Sequence, residues 1–215
     1  MLQVRARSIH ANMITMNSGS ISRLHIVVLA AGFSSRLGQP KALARVRGRS
    51  LLGRTVKLAQ SLEAASIIVV IPPDAARYKT AARGMKVTWA INRRRSEGLS
   101  SSVRLGIAAA RYASAILFLP VDLANLKHCE VDRLIRRWRP LPRRLAARRI
   151  ADSGTIPLIL PRRLFARALR VAGDIGLREL AAELRGGERA LVELASASLD
   201  VDTPEALAEA RRRSR

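Results

Sequence analysis

Cysteine is nearly absent from this chain: there is one among 215 residues. That excludes an intrachain disulfide framework and any multi-cysteine zinc or iron–sulfur site, and it fits a reducing compartment. Aromatics are few as well, with two Trp, two Tyr and three Phe, so no interleaved stacking platform for single-stranded nucleic acid is evident. No run of about 18 apolar residues occurs, which excludes a spanning helix. Met1 to Arg23 carries Arg and Ser without a continuous apolar stretch and does not read as a secretory signal. These absences predict a cytoplasmic protein with no membrane partner. Acidic residues are also scarce, 16 Asp+Glu against 39 Lys+Arg, for a net charge of +23. Only five of the basic residues are lysine (Lys41, Lys57, Lys79, Lys86 and Lys127), so the excess is arginine. An acidic partner, whether nucleotide, nucleic acid or acidic protein, is one reading of that balance. The arginines are scattered, however, and a solvated arginine surface is the other reading.

Hydrophobic residues make up 48% of the chain, enough for a full core, and the length suits one domain with at most a small appendage. Residues 1–22 are polar and basic, with Asn17-Ser18-Gly19-Ser20 at their end, and read as a flexible extension. Residues 23–212 read as the folded domain. Within it Leu24 to Leu29 is a short apolar run stopped near Gly32, a buried strand followed by a turn. Strands are also predicted at Ser66 to Ile71, Val87 to Ile91 and Ala115 to Leu119, with Ile156 to Leu160, Leu191 to Leu194 and Leu199 to Val201 as shorter candidates. Helices are predicted at Leu51 to Leu62, Asp74 to Arg83, Ser100 to Tyr112, Val131 to Arg139, Pro161 to Val171 and Leu177 to Leu184. A last helix opens with Thr203 as N-cap and Pro204 as first helical residue. The stretch Pro140 to Arg149 is basic and shows no clear period. Strand–helix alternation predicts an α/β fold, a single three-layer domain with a mainly parallel twisted sheet and helices on both faces.

The most informative segment is Leu29-Ala30-Ala31-Gly32-Phe33-Ser34-Ser35-Arg36-Leu37-Gly38-Gln39-Pro40-Lys41. It leaves the carboxyl end of a buried strand, where ligands gather in parallel sheets. Its small residues let the backbone approach a phosphate chain, and successive N–H groups can form an anion nest. Arg36 adds a forked cation and Lys41 a compact one. No Gly-Lys-Ser/Thr follows at P-loop spacing, and there is no G-x-G-x-x-G.

This segment resembles the signature loop L-A-A-G-x-S-x-R-[ML]-G-x-x-K of the molybdenum-cofactor nucleotidyltransferases, the MobA-like NTP transferase domains. The resemblance continues in chain order over residues 24 to 210. Asn92 and Glu97-Gly98-Leu99-Ser100-Ser101-Ser102-Val103-Arg104-Leu105-Gly106 resemble the family's N-x(4-6)-G-[LM]-x-x-S-[LV]-x-x-G block. Pro120-Val121-Asp122 resembles the strand end that carries its metal aspartate. Gly173-Asp174-Ile175-Gly176 resembles the G-D-x-G turn, and Asp200-Val201-Asp202-Thr203-Pro204-Glu205 the D-[IV]-D-T-P-E segment. L-A-A-G is closer to the molybdopterin cytidylyltransferase branch than to the guanylyltransferase L-A-G-G. Two departures stand out. Leu123-Ala124 follows the aspartate in place of Met or Gln and Pro, and Gly154-Thr155-Ile156-Pro157 occupies the region of the family's Gly-His-Pro turn, without histidine.

The resemblance implies a Rossmann-like enzyme that transfers a nucleoside monophosphate from an NTP, CTP in that branch, to a phosphate acceptor. The implied acceptor is molybdopterin and the leaving group pyrophosphate; the alternatives are transfer with GTP or to another small phosphate acceptor, and a non-catalytic relative that binds cofactor or nucleic acid. Arg36 and Lys41 would be catalytic, holding the triphosphate. Leu29, Ala30, Ala31, Gly32, Ser34, Asn92 and Ser101 would bind the nucleotide. Mg²⁺ would sit on Asp122, with Asp202 as the second carboxylate and Asp200 as its close rival. The implied partners are the NTP, the small phosphate acceptor and a molybdenum apo-enzyme that receives the product, and not nucleic acid. Other residues have plainer readings. Ser100 is a good N-cap, His25 fits a strand face, Trp89 and Trp138 fit packing, and the adjacent His128-Cys129-Glu130 cannot all face one ion.

Overall fold

A computed structural model describes residues 23–173 and 176–213. The proposed extension 1–22, the end of the basic tail and the middle of the Gly173–Gly176 turn lie outside the described residues. Strands β1 (Leu24–Leu29), β4 (Ser66–Ile71), β5 (Thr88–Ile91) and β6 (Ala115–Pro120) pair in parallel. Beyond β6 come β8 (Ser153–Pro161), β7 (Leu145–Ile150) and β9 (Arg189–Val192). The seven-stranded order is β5-β4-β1-β6-β8-β7-β9, and β8 alone runs antiparallel to its neighbours.

Alternation along β1 and β6 divides the core. Ile26, Val28, Leu117 and Leu119 face helices α1 (Leu51–Gln60), α2 (Ala75–Ala81) and α4 (His128–Trp138), meeting Leu52, Val56, Tyr78, Val131 and Trp138. Val27, Leu29 and Phe118 face the other way, toward α3 (Leu99–Ala109), α5 (Phe165–Ala168) and α6 (Gly176–Glu183). This period-two division makes the three-layer, mainly parallel α/β domain. α3 lies close to the sheet because Gly106 faces it: a Cβ there would sit 2.7 Å from Val27 Cγ1 and 3.3 Å from Phe118 Cε1. A third cluster, with Leu37, Val46, Leu51, Val201 and Leu207, fastens the final helix α7 (Pro204–Arg213) beside the first loop.

Several expectations need correction. The basic stretch after Pro140 contains β7, whose Leu145, Ala146 and Ala147 are fully buried while the rest of the strand reaches outward. Residues Arg45–Val46 (β2) and Arg49–Ser50 (β3) form an antiparallel hairpin that is too short to show a period. Pro161 ends β8 and does not open a helix; a 3-10 turn at Arg162–Leu164 precedes the four-residue α5. Leu199–Val201 is not a strand. Ser100 is not the N-cap of α3: Gly98, at φ 82, starts the helix earlier, and the Ser100 hydroxyl donates to the Glu97 carbonyl at 3.2 Å. Ser50 does cap α1, accepting from Gly53 N–H at 3.0 Å. Thr203 caps α7 by accepting from Ala206 N–H at 3.3 Å.

Candidate active site

The chain runs from β1 through β4 to β5 on one side, then returns to place β6 on the other side of β1. The carboxyl ends of β1 and β6 therefore flank the point where the winding reverses, the usual place for a ligand in such sheets. A cavity of about 630 Å³ lies there. The loop after β1 forms one wall, the start of α3 another, and Pro120, Val121 and Asp122 the base, with Asp202 reaching in from the segment before α7.

The first loop is built to leave backbone donors exposed. Ser34 adopts a left-handed conformation, φ 58, and its hydroxyl accepts from Lys41 N–H at 2.9 Å, closing the loop. Among the described residues, no protein acceptor takes up the N–H groups from Ala31 to Arg36. That is the arrangement of an anion nest. A Cβ on Gly32 would meet nothing within 4 Å, so the bare backbone leaves space on the cavity side and does not relieve a protein clash. Ala30 differs: its N–H donates to the Val70 carbonyl at 2.9 Å, leaving its carbonyl as its polar group for a ligand.

Four charged side chains meet at the mouth of this loop. Lys41 Nζ donates to Asp122 Oδ2 at 3.0 Å and also bonds Asp202 Oδ1, and Arg36 Nη2 donates to Asp202 Oδ2 at 2.7 Å. Lys41 is only 16% exposed. Its burial works against the charged form, but Asp122 and Asp202 outweigh that and hold its pKa above the ordinary value. For Asp202, burial pulls upward, while the hydrogen bond and charge of Lys41, with Arg36, win and hold the carboxyl below its usual range. Asp200 stands apart. It faces Arg148 at 3.6 Å, and its pKa is raised by burial first and then by the charge of Asp122. The structure thus brings Arg36, Lys41, Asp122 and Asp202 together and leaves Asp200 outside the group.

Asn92 and Ser101 lie behind the cavity wall. The buried Asn92 amide donates to Ser101 Oγ at 2.8 Å and Ser102 Oγ at 2.9 Å, and its carbonyl oxygen accepts from Arg94 N–H at 2.9 Å. Asn92 therefore braces the first turn of α3 against the end of β5, and Ser102, not Ser101, lines the cavity. Ser100 N–H is committed to the Gly173 carbonyl at 2.9 Å. Sequence reasoning missed the outer rim, where the Arg95 guanidinium sits 3.8 Å from the centroid of the Phe33 ring. Arg95 follows Arg93 and Arg94, and nothing in that run marks which arginine turns toward the loop.

Among the described residues, no cluster of three or more His, Cys, Asp or Glu side chains has metal-binding geometry. His128 contacts the Ser61 carbonyl at 3.1 Å, and Glu130 accepts from Ser196 N–H at 3.0 Å, so two of the triplet have structural partners, while Cys129 is exposed. Asp122 and Asp202 nevertheless fit Mg²⁺. This ion is commonly held by one or two carboxylates with substrate phosphates and water completing the shell, and the two aspartates already converge on a shared cation.

Residues 26–190 match the model of the MobA-like NTP transferase domain. The chain belongs to that family of nucleotidyltransferases. Among curated proteins, the 3-phospho-D-glycerate guanylyltransferase of Phenylobacterium zucineum (strain HLK1) is 35% identical over 150 residues. That alignment covers 67% of this chain and 66% of the relative, just under two thirds of its length. Among solved structures, Rv0371c from Mycobacterium tuberculosis H37Rv superposes with a TM-score of 0.72 at 26% identity, covering 89% of this chain and 99% of that one. A complex of Rv0371c with manganese matches at a TM-score of 0.68 and 24% identity, over 89% and 99% of the two chains. A nucleotidyl transferase from Methanothermobacter thermautotroptrophicus shares the fold, with a TM-score of 0.75 at 22% identity over 89% of this chain and 97% of that one. No helix among the described residues is long and apolar enough to cross a membrane.

Proposed function

We propose that residues 23–212 form a divalent-metal-dependent nucleotidyltransferase that moves a nucleoside monophosphate from an NTP to a phosphate monoester. The observation that carries this reading is the convergence of Lys41 on Asp122 and Asp202 beside a loop of free backbone N–H groups. An acceptor phosphate oxygen forms a new bond to the α-phosphorus while the bond to the β-phosphate oxygen breaks, and pyrophosphate leaves. The attacking oxygen is already anionic, so no general base is required, in keeping with a site that lacks histidine. Catalysis then rests on positioning and charge neutralisation.

The N–H groups of Ala31, Gly32 and Ser34 cradle the phosphates, and Leu29, Ala30 and Ala31 present main-chain groups to the base. Arg36 and Lys41 neutralise the triphosphate and the charge that develops on the leaving pyrophosphate. Asn92 and Ser101 hold the α3 wall in place. Asp122 and Asp202 hold Mg²⁺, which supplies Lewis-acid polarisation of phosphoryl oxygens when bound. The manganese complex of the related fold supports a divalent ion. Asp200, turned to Arg148, tunes the local charge and is not assigned as a ligand.

The L-A-A-G loop supports CTP as donor and molybdopterin as acceptor, with the product passed to a molybdenum apo-enzyme. A second reading, GTP with 3-phospho-D-glycerate, is favoured by the guanylyltransferase relative. Pyrophosphate release measured with CTP or GTP against each acceptor, with and without Mg²⁺, separates the two. Metal-dependent release with one pair establishes that pair. No release with any pair overturns the assignment.

A further inference from the structure

A second concavity of about 440 Å³ lies between the β2–β3 hairpin, α1 and the segment that follows Asp122. Four cations line it, Arg47, Arg49, Arg54 and Lys57, and no carboxylate does. Some arginines elsewhere are neutralised in pairs, such as Arg104 with Glu97, Arg139 with Glu63 and Arg167 with Glu183, whereas none of these four is in an ion pair among the described residues. Arg54 is the half-buried member of the group. Its Nη2 donates to the Ala124 carbonyl at 3.1 Å, while its Nε is buried without a partner. Burial first, and then the charges of Arg47 and Arg49, push its pKa below the ordinary value. Arg47 adds a backbone argument. It occupies the first position of a two-residue hairpin turn at φ 50, followed by Gly48 at φ 72. Such turns favour Asn, Asp or Gly there. A long cation thus stands where a smaller residue would relieve the backbone, and it stands at the lip of the cleft.

Like charges gathered in a concavity repel, and an anion relieves that repulsion. Arginine forks and a lysine ammonium suit phosphate oxygens. The floor includes Leu51, Leu58 and Leu123, which gives a ligand body something apolar to rest on. The absence of aromatic lining favours a small molecule over a single-stranded nucleic acid.

We propose that this cleft is a second anion site, separate from the nucleotide cavity, that binds a small molecule carrying two or more phosphate groups. Its occupant neutralises Arg47, Arg49, Arg54 and Lys57 together. The site stands independently of the transfer reaction, since none of these residues lines the first cavity.

Calorimetric titration without metal tests it, with tripolyphosphate and fructose 1,6-bisphosphate as separate probes of inorganic and carbon-bearing phosphates. The intact chain should bind tripolyphosphate at two sites. In the variant Arg47→Asn, Arg49→Gln, Lys57→Gln, one site should weaken by about tenfold or more. All three side chains are exposed, so circular dichroism should show an unchanged fold, and Arg49→Gln alone should give a smaller loss. The Lys41→Met variant should keep the cleft site and lose the other. A single site in the intact chain that vanishes in Lys41→Met, or two sites indifferent to the triple substitution, overturns the proposal. Displacement of tripolyphosphate from Lys41→Met by a lower concentration of a short single-stranded oligonucleotide also overturns it, in favour of nucleic acid.

Discussion

Lys41 Nζ reaches Asp122 Oδ2 at 3.0 Å across 81 residues of sequence. The contact joins the loop after β1 to the end of β6 and places a cation at the edge of the backbone N–H nest. Lys41→Met removes that cation while keeping most of its volume. We expect kcat/KM to fall by about 10²- to 10³-fold, the scale for losing one preorganised charge partner of a transition state. Asp122→Asn should abolish metal-dependent turnover with the fold intact. Steady-state kinetics with far-ultraviolet circular dichroism check both, and full activity in the Asn variant would remove Asp122 from its assigned role.

Two glycines separate stability from function. Gly106→Ala drives a methyl to 2.7 Å from Val27 Cγ1, and overpacking of this kind costs about 1–3 kcal/mol. Gly32→Ala meets no protein atom within 4 Å, so its urea midpoint should stay near that of the parent chain. Its KM for the nucleotide should rise instead. Urea denaturation and kinetics on the same two variants read the contrast, and a large stability loss in Gly32→Ala would contradict it.

The Asn92 brace makes a different prediction. Asn92→Ala removes two donated hydrogen bonds in a buried setting, which should cost about 1–3 kcal/mol of stability. The effect on nucleotide affinity should follow from a loosened α3 start, so KM should rise more than kcat falls.

At the rim, Phe33→Ala removes the ring beneath Arg95. An exposed pair of this type is worth about 0.5–1 kcal/mol. A KM change of a few-fold with kcat intact is expected, together with no measurable change in thermal midpoint.

His25 gives a pH dependence remote from the site. Burial first, and then the charge of Arg23, lower its pKa in the folded state, and Ser66 Oγ lies 2.7 Å from its Nδ1. The folded state therefore holds the proton less tightly than the unfolded chain. The stability from neutral His25 is complete above the unfolded value near 6.5 and is lost as pH falls through that value toward the lower folded one. Urea midpoints between pH 7.5 and 5 should decline in the parent and decline less in His25→Gln.

What was legible in the sequence follows from periodicity and caps. β1, β4 and β6 are short apolar runs bounded by polar residues, glycine or proline, and α1, α4 and α7 carry apolar spacing or end signals that survive folding. β7 was hidden because its buried half is Leu145-Ala146-Ala147 and the exposed half is Arg148-Arg149-Ile150; β8 supplies the bulk that its own side chains lack. The β2–β3 hairpin was hidden because two-residue strands have no period and Arg47-Gly48 is not the usual turn pair. At the site, motif order pointed to the loop, Lys41, Asp122 and Asp202, and these groups meet in the structure. Orientation was not legible. The same ordered motifs contain Asn92, which braces from behind, and Asp200, which turns to Arg148, and only the packed sheet distinguishes them from their neighbours.

The reversal of β8 has an evolutionary consequence. The parallel strands β5, β4, β1 and β6 carry the loop after β1, the α3 wall and Asp122, whereas β8, β7 and β9 join the sheet at β6 by one antiparallel seam. Asp202 follows β9 in the chain yet bonds Lys41 on the β1 side, so a lineage that varies the far strands must still return the chain to that one ion pair.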